Sequence, residues 1–324
     1  MTYIRRVRSA LLLFPVALAA QTPRRPIADL PIRARVAVPA SADWMALGYG
    51  AVWVVNYKPD RVSRIDPTTA RVTAEIPLAS KACLGIVVAV DRVWIPTCGD
   101  GAMTAIDPTT NRIVAHWPLP IALGREGSFA FSDGSFWIPA NVPDSTSPEI
   151  ARVDARSGRI ERRIRVSARS DVVVSAFGAL WVASSATDTV LRIDPATNTV
   201  SARIAVGPSP KFMTAGSGAL WVQNRRDGSV SRIDPVTSRE AARIESHAPT
   251  EWGDIAAGED AIWLSADGTP VTRIDPHTNR VSVQFVGGSG VDAIRVGYGA
   301  IWLADHEHGE VWQVDVQRLI TERR

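Results

Sequence analysis

Residues 178–210, GALWVASSATDTVLRIDPATNTVSARIAVGPSP, decide how the rest of the chain is read. Trp181 sits in an alternating apolar run. A polar turn leads to a second run ending in Ile193-Asp194-Pro195, and another turn leads to a third run closing at Val206-Gly207. Alternation at period two places apolar side chains on one face of an extended chain, and runs this short favour strands over helices. The segment and the six residues just ahead of it, DVVVSA, predict strands over 171–176, 179–184, 189–194 and 199–206.

The unit recurs. Its Trp returns as Trp53, Trp94, Trp137, Trp181, Trp221, Trp263 and Trp302, at intervals of 41, 43, 44, 40, 42 and 39 residues. About thirteen residues after most of them comes an Asp that opens a turn: Asp66, Asp107, Asp154, Asp194, Asp234, Asp275 and Asp315. Asp bonds backbone N–H groups two residues on and a following Pro presets φ, so these aspartates are read as turn residues rather than acids for chemistry. A period near forty residues is that of four-stranded propeller blades. The last copy has no third run after Asp315, whereas PIRARVAVP at 31–39 is a third run with nothing ahead of it. The expectation is an all-β, seven-bladed β-propeller of four-stranded antiparallel blades over residues 31–324. The N-terminal strand 31–38 would close the ring and remove its open edge.

The repeat resembles the YVTN-type unit of secreted seven-bladed propellers, with Trp in place of Tyr. Through it the chain is similar to virginiamycin B (streptogramin) lyase-like propellers, gluconolactonase-like hydrolases and envelope binding proteins. The lyase resemblance implies a magnesium ion held by a Trp-Phe-Thr-Glu strand and a Glu-x-His pair. Here the third residue after each Trp is Asn56, Thr97, Ala140, Ser184, Asn224, Ala266 and Asp305, of which only Asp305 is a carboxylate. The resemblance therefore fixes architecture and leaves activity open.

Residues 1–20 carry Arg5, Arg6 and Arg8, an apolar stretch from Ala10 to Leu18 and small residues at Ala17 and Ala19, the pattern of a secretory signal peptide. Its apolar core is shorter than a bilayer span. Without those three arginines the chain holds 33 basic and 33 acidic residues, which gives no electrostatic case for nucleic acid. QTPRRPIADL, 21–30, reads as a flexible leader. The two cysteines, Cys83 and Cys98, flank the turn at Val90-Asp91 symmetrically, which predicts a disulfide across a hairpin in an oxidising compartment, periplasmic or secreted.

Variable loops on one face of a rigid ring form the default binding surface. Ten or nine residues before their Trp stand Asp43, Asp171, Lys211, Asp254 and Asp292, a ring of four carboxylates and one Lys expected at the channel mouth, with Trp252 beside it. His247, Glu251, His306 and His308, in HAPTEWGD and ADHEHGE, are candidate ligands for one divalent metal ion, and His306, His308 and Glu251 are candidate catalytic groups. Two functions follow as expectations. One is a monomeric binding module for a small molecule, a glycan or an envelope protein; the other is a metal-dependent lyase or lactone hydrolase.

Overall fold

Copies of one period-two unit can bury their apolar faces only against each other. That is the arrangement in the computed structural model of the chain, which describes residues 23–124, 126–140, 148–166, 172–248, 250–288 and 290–321. Seven antiparallel sheets follow one another around a ring, each a meander. In the fourth blade the strands are Val172–Ala176, Ala179–Ser184, Thr189–Asp194 and Thr199–Ala205, within a residue of the expected bounds. Each innermost strand contacts that of the next blade, and the seventh, Val291–Gly297, contacts the first, Ala40–Gly48.

The repeat Trp side chains are all buried between blades, at 0% exposure in six cases and 3% for Trp94. Every indole N–H donates to the carbonyl five residues earlier, from Trp53 to Gly48 through Trp302 to Gly297, at 3.0–3.4 Å. In five blades an Arg of the third strand lies over the indole, with Arg64, Arg152, Arg192, Arg232 and Arg273 at 5.0–5.8 Å from the ring centre. Three of these arginines also reach the outer turn of the next blade: Arg152 to Pro195 O at 3.0 Å, Arg192 to Ser238 Oγ at 3.1 Å, and Arg232 to Asn279 Oδ1 at 3.3 Å. The second blade has Ala105 opposite its Trp, and Trp117 covers the indole instead at 4.6 Å.

All seven turn aspartates do what the sequence reading assigned them. Asp66 Oδ1 accepts from the backbone N–H of Thr68 at 2.8 Å and Thr69 at 2.9 Å, and the same pair of bonds recurs at Asp107, Asp154, Asp194, Asp234, Asp275 and Asp315. Those bonds favour the ionised carboxylate, so the carboxyls of Asp66, Asp107, Asp194 and Asp234 titrate below the usual range. At Asp315 the motif opens the helix Val316–Thr321 in place of an outer strand. Ile32–Ala37 fills the vacancy by pairing antiparallel with Glu310–Asp315, Arg35 opposite Trp312 and Val36 opposite Val311.

One expectation fails. Part of the stretch read as a flexible leader is structured: Arg24–Pro26 adds a fifth, parallel strand to the outer edge of the sixth blade, opposite Gln284–Val286. Leu30, behind it, is 5% exposed in the core that holds Phe285 and Trp312. Two prolines and no alternation hid this strand, because an edge strand bonded along one side needs no second apolar face. Residues 1–22, including the expected signal peptide, lie outside the described residues, and no described helix is long and apolar enough to cross a membrane.

Cys83 and Cys98 are joined, with Cα atoms 5.8 Å apart. The hairpin keeps the predicted symmetry at Val87 and Trp94 and slips to Ala82 opposite Thr97 beyond it, close enough for the bridge.

Deleting residues 32–37 should lower the melting temperature by roughly 10 °C or more, since the seventh blade loses its outer strand. Scanning calorimetry showing an unchanged transition would mean the ring closes without it. Replacing Cys83 and Cys98 together by Ser should cost about 3 kcal/mol in a urea titration, the value for a fifteen-residue loop. A cost near zero would remove the bridge from the list of stabilising contacts.

Candidate functional site

A cavity of about 500 Å³ opens where loops between successive blades meet the channel mouth. Three carboxylates on its wall come from the inner strands of adjacent blades: Asp254 in the sixth, Asp292 in the seventh and Asp43 in the first. Their placement depends on β-bulges. The first pair of strands slips between Ala42–Asn56 and Met45–Val54, leaving Asp43 and Trp44 opposite one residue. The seventh slips between Val291–Asp305 and Ala293–Ala304, with Asp292 as the extra residue. A third bulge, between Pro210–Asn224 and Met213–Val222, holds Lys211 and Phe212. A bulge re-aims the side chains it carries, and here all three sit at the top of inner strands.

Aromatic rings complete the wall. Trp44 meets Phe212 edge-on at 5.6 Å, and Trp252 is 59% exposed above the opening. The loop bearing Trp252 is tied down by Thr250, whose Oγ1 accepts from the N–H of Trp252 at 3.0 Å and of Asp267 at 3.1 Å. Gly290 lies so close to Asp305 that a Cβ there would sit 2.7 Å from its Oδ1.

Charges are unevenly matched. Asp254 pairs with Arg295 and accepts from Ile255 N–H at 2.8 Å. Glu126, at the cavity rim, stands 3.7 Å from Lys211 Nζ. Asp43 is hydrogen-bonded by the half-buried Tyr57 phenol, and the Oδ1 of Asp292 is buried with no hydrogen-bond partner among the described residues. Burial and the neighbouring Asp254 and Glu126 push the Asp43 carboxyl up to about 7. Burial, then Asp43 and Asp254, push that of Asp292 up to about 8.

Of the residues expected at the mouth, Asp43, Asp254, Asp292 and Trp252 line this cavity. Lys211 borders it through Glu126, and Asp171 lies outside the described residues. The expected metal set separates. His306 lines the cavity with Nδ1 buried and unpartnered among the described residues, and burial lowers its tendency to take a proton. His308 faces outward and binds Asp305 at 2.9 Å; Glu251 pairs with Arg225 at 3.2 Å; His247 is exposed off the cavity. Among the described residues no three His, Cys, Asp or Glu side chains are arranged to hold a metal ion. The bond to Asp305 holds His308 away from the cavity, and the ion pair with Arg225 does the same for Glu251. The residues that sequence reasoning missed are Trp44, Phe212, Arg295, Glu126 and Tyr57.

Below the mouth the central channel encloses about 430 Å³ and is lined from all seven inner strands. It shares Trp44, Phe212 and Asp254 with the cavity above.

No family model matches the chain, and no curated protein matches it. Among solved structures a streptogramin B lyase superposes with a TM-score of 0.71 at 18% identity, over 86% of this chain and 94% of that one. BamB from Moraxella catarrhalis does so with a TM-score of 0.57 at 15% identity, over 82% and 79%. The chain is a seven-bladed β-propeller similar in fold to both.

Proposed function

We propose that the protein is an extracytoplasmic binding module whose channel-mouth cavity takes a small organic cation, such as an amine. The observation that carries this is the arc of Asp254, Asp292 and Asp43 on three adjacent blades, walled by Trp44, Phe212 and Trp252. Burial, then the neighbouring carboxylates, raise Asp43 to about 7 and Asp292 to about 8, while Arg295 pairs with Asp254 and Lys211 faces Glu126, which leaves Asp43 and Asp292 as the acids a ligand cation would meet. A ligand ammonium relieves the repulsion between these acids and lies against aromatic faces. A neutral sugar relieves none of it, and among the described residues no three His, Cys, Asp or Glu side chains converge on a bare metal ion. The Cys83–Cys98 bridge and the basic-then-apolar N-terminus support an oxidising, extracytoplasmic compartment.

A second reading has one observation in its favour. Two carboxyls that titrate near neutrality in one cavity suit proton transfer, as a lyase or lactone hydrolase needs. His247, Glu251 and His308 do not reach that cavity, so any such chemistry rests on Asp43, Asp292 and His306.

Benzylamine titrated by calorimetry should bind, and Asp292→Asn should weaken it by about tenfold or more, the loss of a charge-assisted contact. Affinity should rise as pH passes through 7 to 8 while Asp43 and Asp292 ionise, with protons released on binding, and fall again as the amine deprotonates. Binding of a neutral methyl glucoside but not of benzylamine would turn the site into a glycan site; turnover of a lactone, lost in Asp43→Asn, would favour the enzyme.

Folding stability gives an independent check. In the unfolded chain Asp292 ionises near 3.8, and in the folded one only near 8. The folded state therefore binds the extra proton between these values, and stability falls as pH rises through that window. At pH 9 Asp292→Asn should raise the melting temperature on the order of 3 °C. Below pH 3.8 it should change little, because the carboxyl is then largely protonated in both states. Equal effects at both pH values would mean that Asp292 is ordinarily ionised.

A further inference from the structure

We infer that the outer rim between the third and fourth blades carries an anion site, built by Arg152, Arg159 and Arg162, that takes a phosphate group. The site shares no residue with the channel mouth and stands apart from the amine reading. Its origin lies in the repeat. Five blades place an Arg of the third strand over the repeat Trp. In four of them the residue opposite that Arg on the outer strand is small and apolar: Ala74 beside Arg64, Ala202 beside Arg192, Ala242 beside Arg232 and Val283 beside Arg273. In the third blade the residue opposite Arg152 is Arg162. Like charges directly opposite each other on a sheet repel.

Among the described residues one carboxylate answers this pair. Glu161 meets Arg152 Nε at 3.0 Å, and Arg152 Nη1 donates to Pro195 O at 3.0 Å and Asn198 Oδ1 at 3.3 Å on the fourth blade. Arg159 and Arg162 are exposed and have no ion-pair partner among the described residues. Arg163 and Arg165, on the same strand, differ, since both face Glu149, at 3.5 and 4.0 Å. The uncompensated charge is thus confined to one end of the strand. A cavity of about 460 Å³ opens there, lined by Arg152, Arg159, Glu161, Arg162 and Asn198. The turn that brings Arg159 to it is held in place. The Arg159 carbonyl accepts from Asp154 N–H at 2.9 Å, and Gly158, at φ +70°, packs against Trp117 of the second blade, where a Cβ would come within 2.9 Å.

Three guanidinium groups less the one Glu161 carboxylate leave an excess of two positive charges around this cavity. A phosphate group carries close to two negative charges, so it would offset that excess, whereas a carboxylate would offset half of it. Guanidinium forks also match phosphate oxygens two at a time. A long polyanion would need the uncompensated charge to continue along the rim, and it stops where Arg163 meets Glu149.

Titration calorimetry of the purified protein with inorganic phosphate, at an ionic strength fixed with sodium chloride, tests this. Phosphate should bind about tenfold or more tightly than acetate. Arg162→Ala, which installs the residue that three sister blades carry at this place, should weaken phosphate binding by about tenfold or more. Arg239→Ala, at the position of the fifth blade that corresponds to Arg159, should leave it unchanged. Glycerol phosphate binding as well as inorganic phosphate would mark the ligand as a phosphate monoester, and its exclusion would mark the free ion; either result upholds the site. No binding of phosphate, an undiminished affinity in Arg162→Ala, or an equal loss in Arg239→Ala would overturn it. If Arg162→Ala fails to fold, Arg162→Gln decides by the same titration.

Discussion

Every blade depends on one indole. The repeat Trp donates its N–H back to the end of its own inner strand, which pins the first hairpin, and in most blades it offers its face to an Arg from the third strand. That Arg, held flat, reaches the outer turn of the following blade. The turn is itself shaped by an Asp accepting two backbone N–H groups. One side chain thus couples the strand order inside a blade to the contact between blades. Each cation–π contact contributes on the order of 1 kcal/mol, so the ring gains stability by repetition rather than from any single strong contact. At the seventh blade Gln313 takes the Arg position and reaches Pro67 O across the closure at 2.8 Å. The joint between the two ends of the chain thus resembles that made by Arg152 to Pro195 O.

A scaffold fixed this redundantly leaves its inner strands free to deviate at one end. The bulges at Asp43-Trp44, Lys211-Phe212 and Asp292 each insert a residue at the mouth and leave the Trp hairpin below in register. The sequence carries a trace of them. Asp43, Lys211 and Asp292 stand ten residues before their Trp, whereas Asp254, on an unbulged strand, stands nine before. A one-residue difference in spacing is the whole signal.

The ring, its blade count, its turn aspartates and its closure were legible because they repeat, and seven noisy copies average to one clear pattern. The disulfide was legible because hairpin symmetry relates Cys83 to Cys98 about a turn. The site was legible only in part. Asp43, Asp254 and Asp292 could be placed at the mouth from their offset to a Trp, and Trp252, off the repeat register, from its place beside Asp254. Trp44 and Phe212 could not, since period two assigns a residue beside a mouth aspartate to the other face, and only a bulge turns both inward. The pairing of Arg295 with Asp254 joins two blades and has no sequence signature. The metal set failed for the opposite reason: His and Glu in polar loops are common, and nothing local fixes where those loops point. Arg24–Pro26 was missed because a strand paired on one side carries no alternation.

The repeats also act as internal controls for what the mouth positions require. Ten residues before Trp94 the chain has Leu84, buried at 0% exposure, and the second blade is complete. An apolar residue therefore satisfies the fold there. Blades six, seven and one instead carry carboxylates side by side, where each raises the cost of ionising its neighbours. Arg295 compensates Asp254, but Asp43 and Asp292, raised first by burial and then by the neighbouring carboxylates, oppose folding at alkaline pH. Neither blade architecture nor ring closure calls for them, and under the proposed function a bound ammonium would offset their repulsion. Of the adjoining rings, Trp44 and Phe212 are buried in the main apolar cluster and join the first blade to the fifth, so the fold itself accounts for them, whereas the exposed Trp252 has no such role.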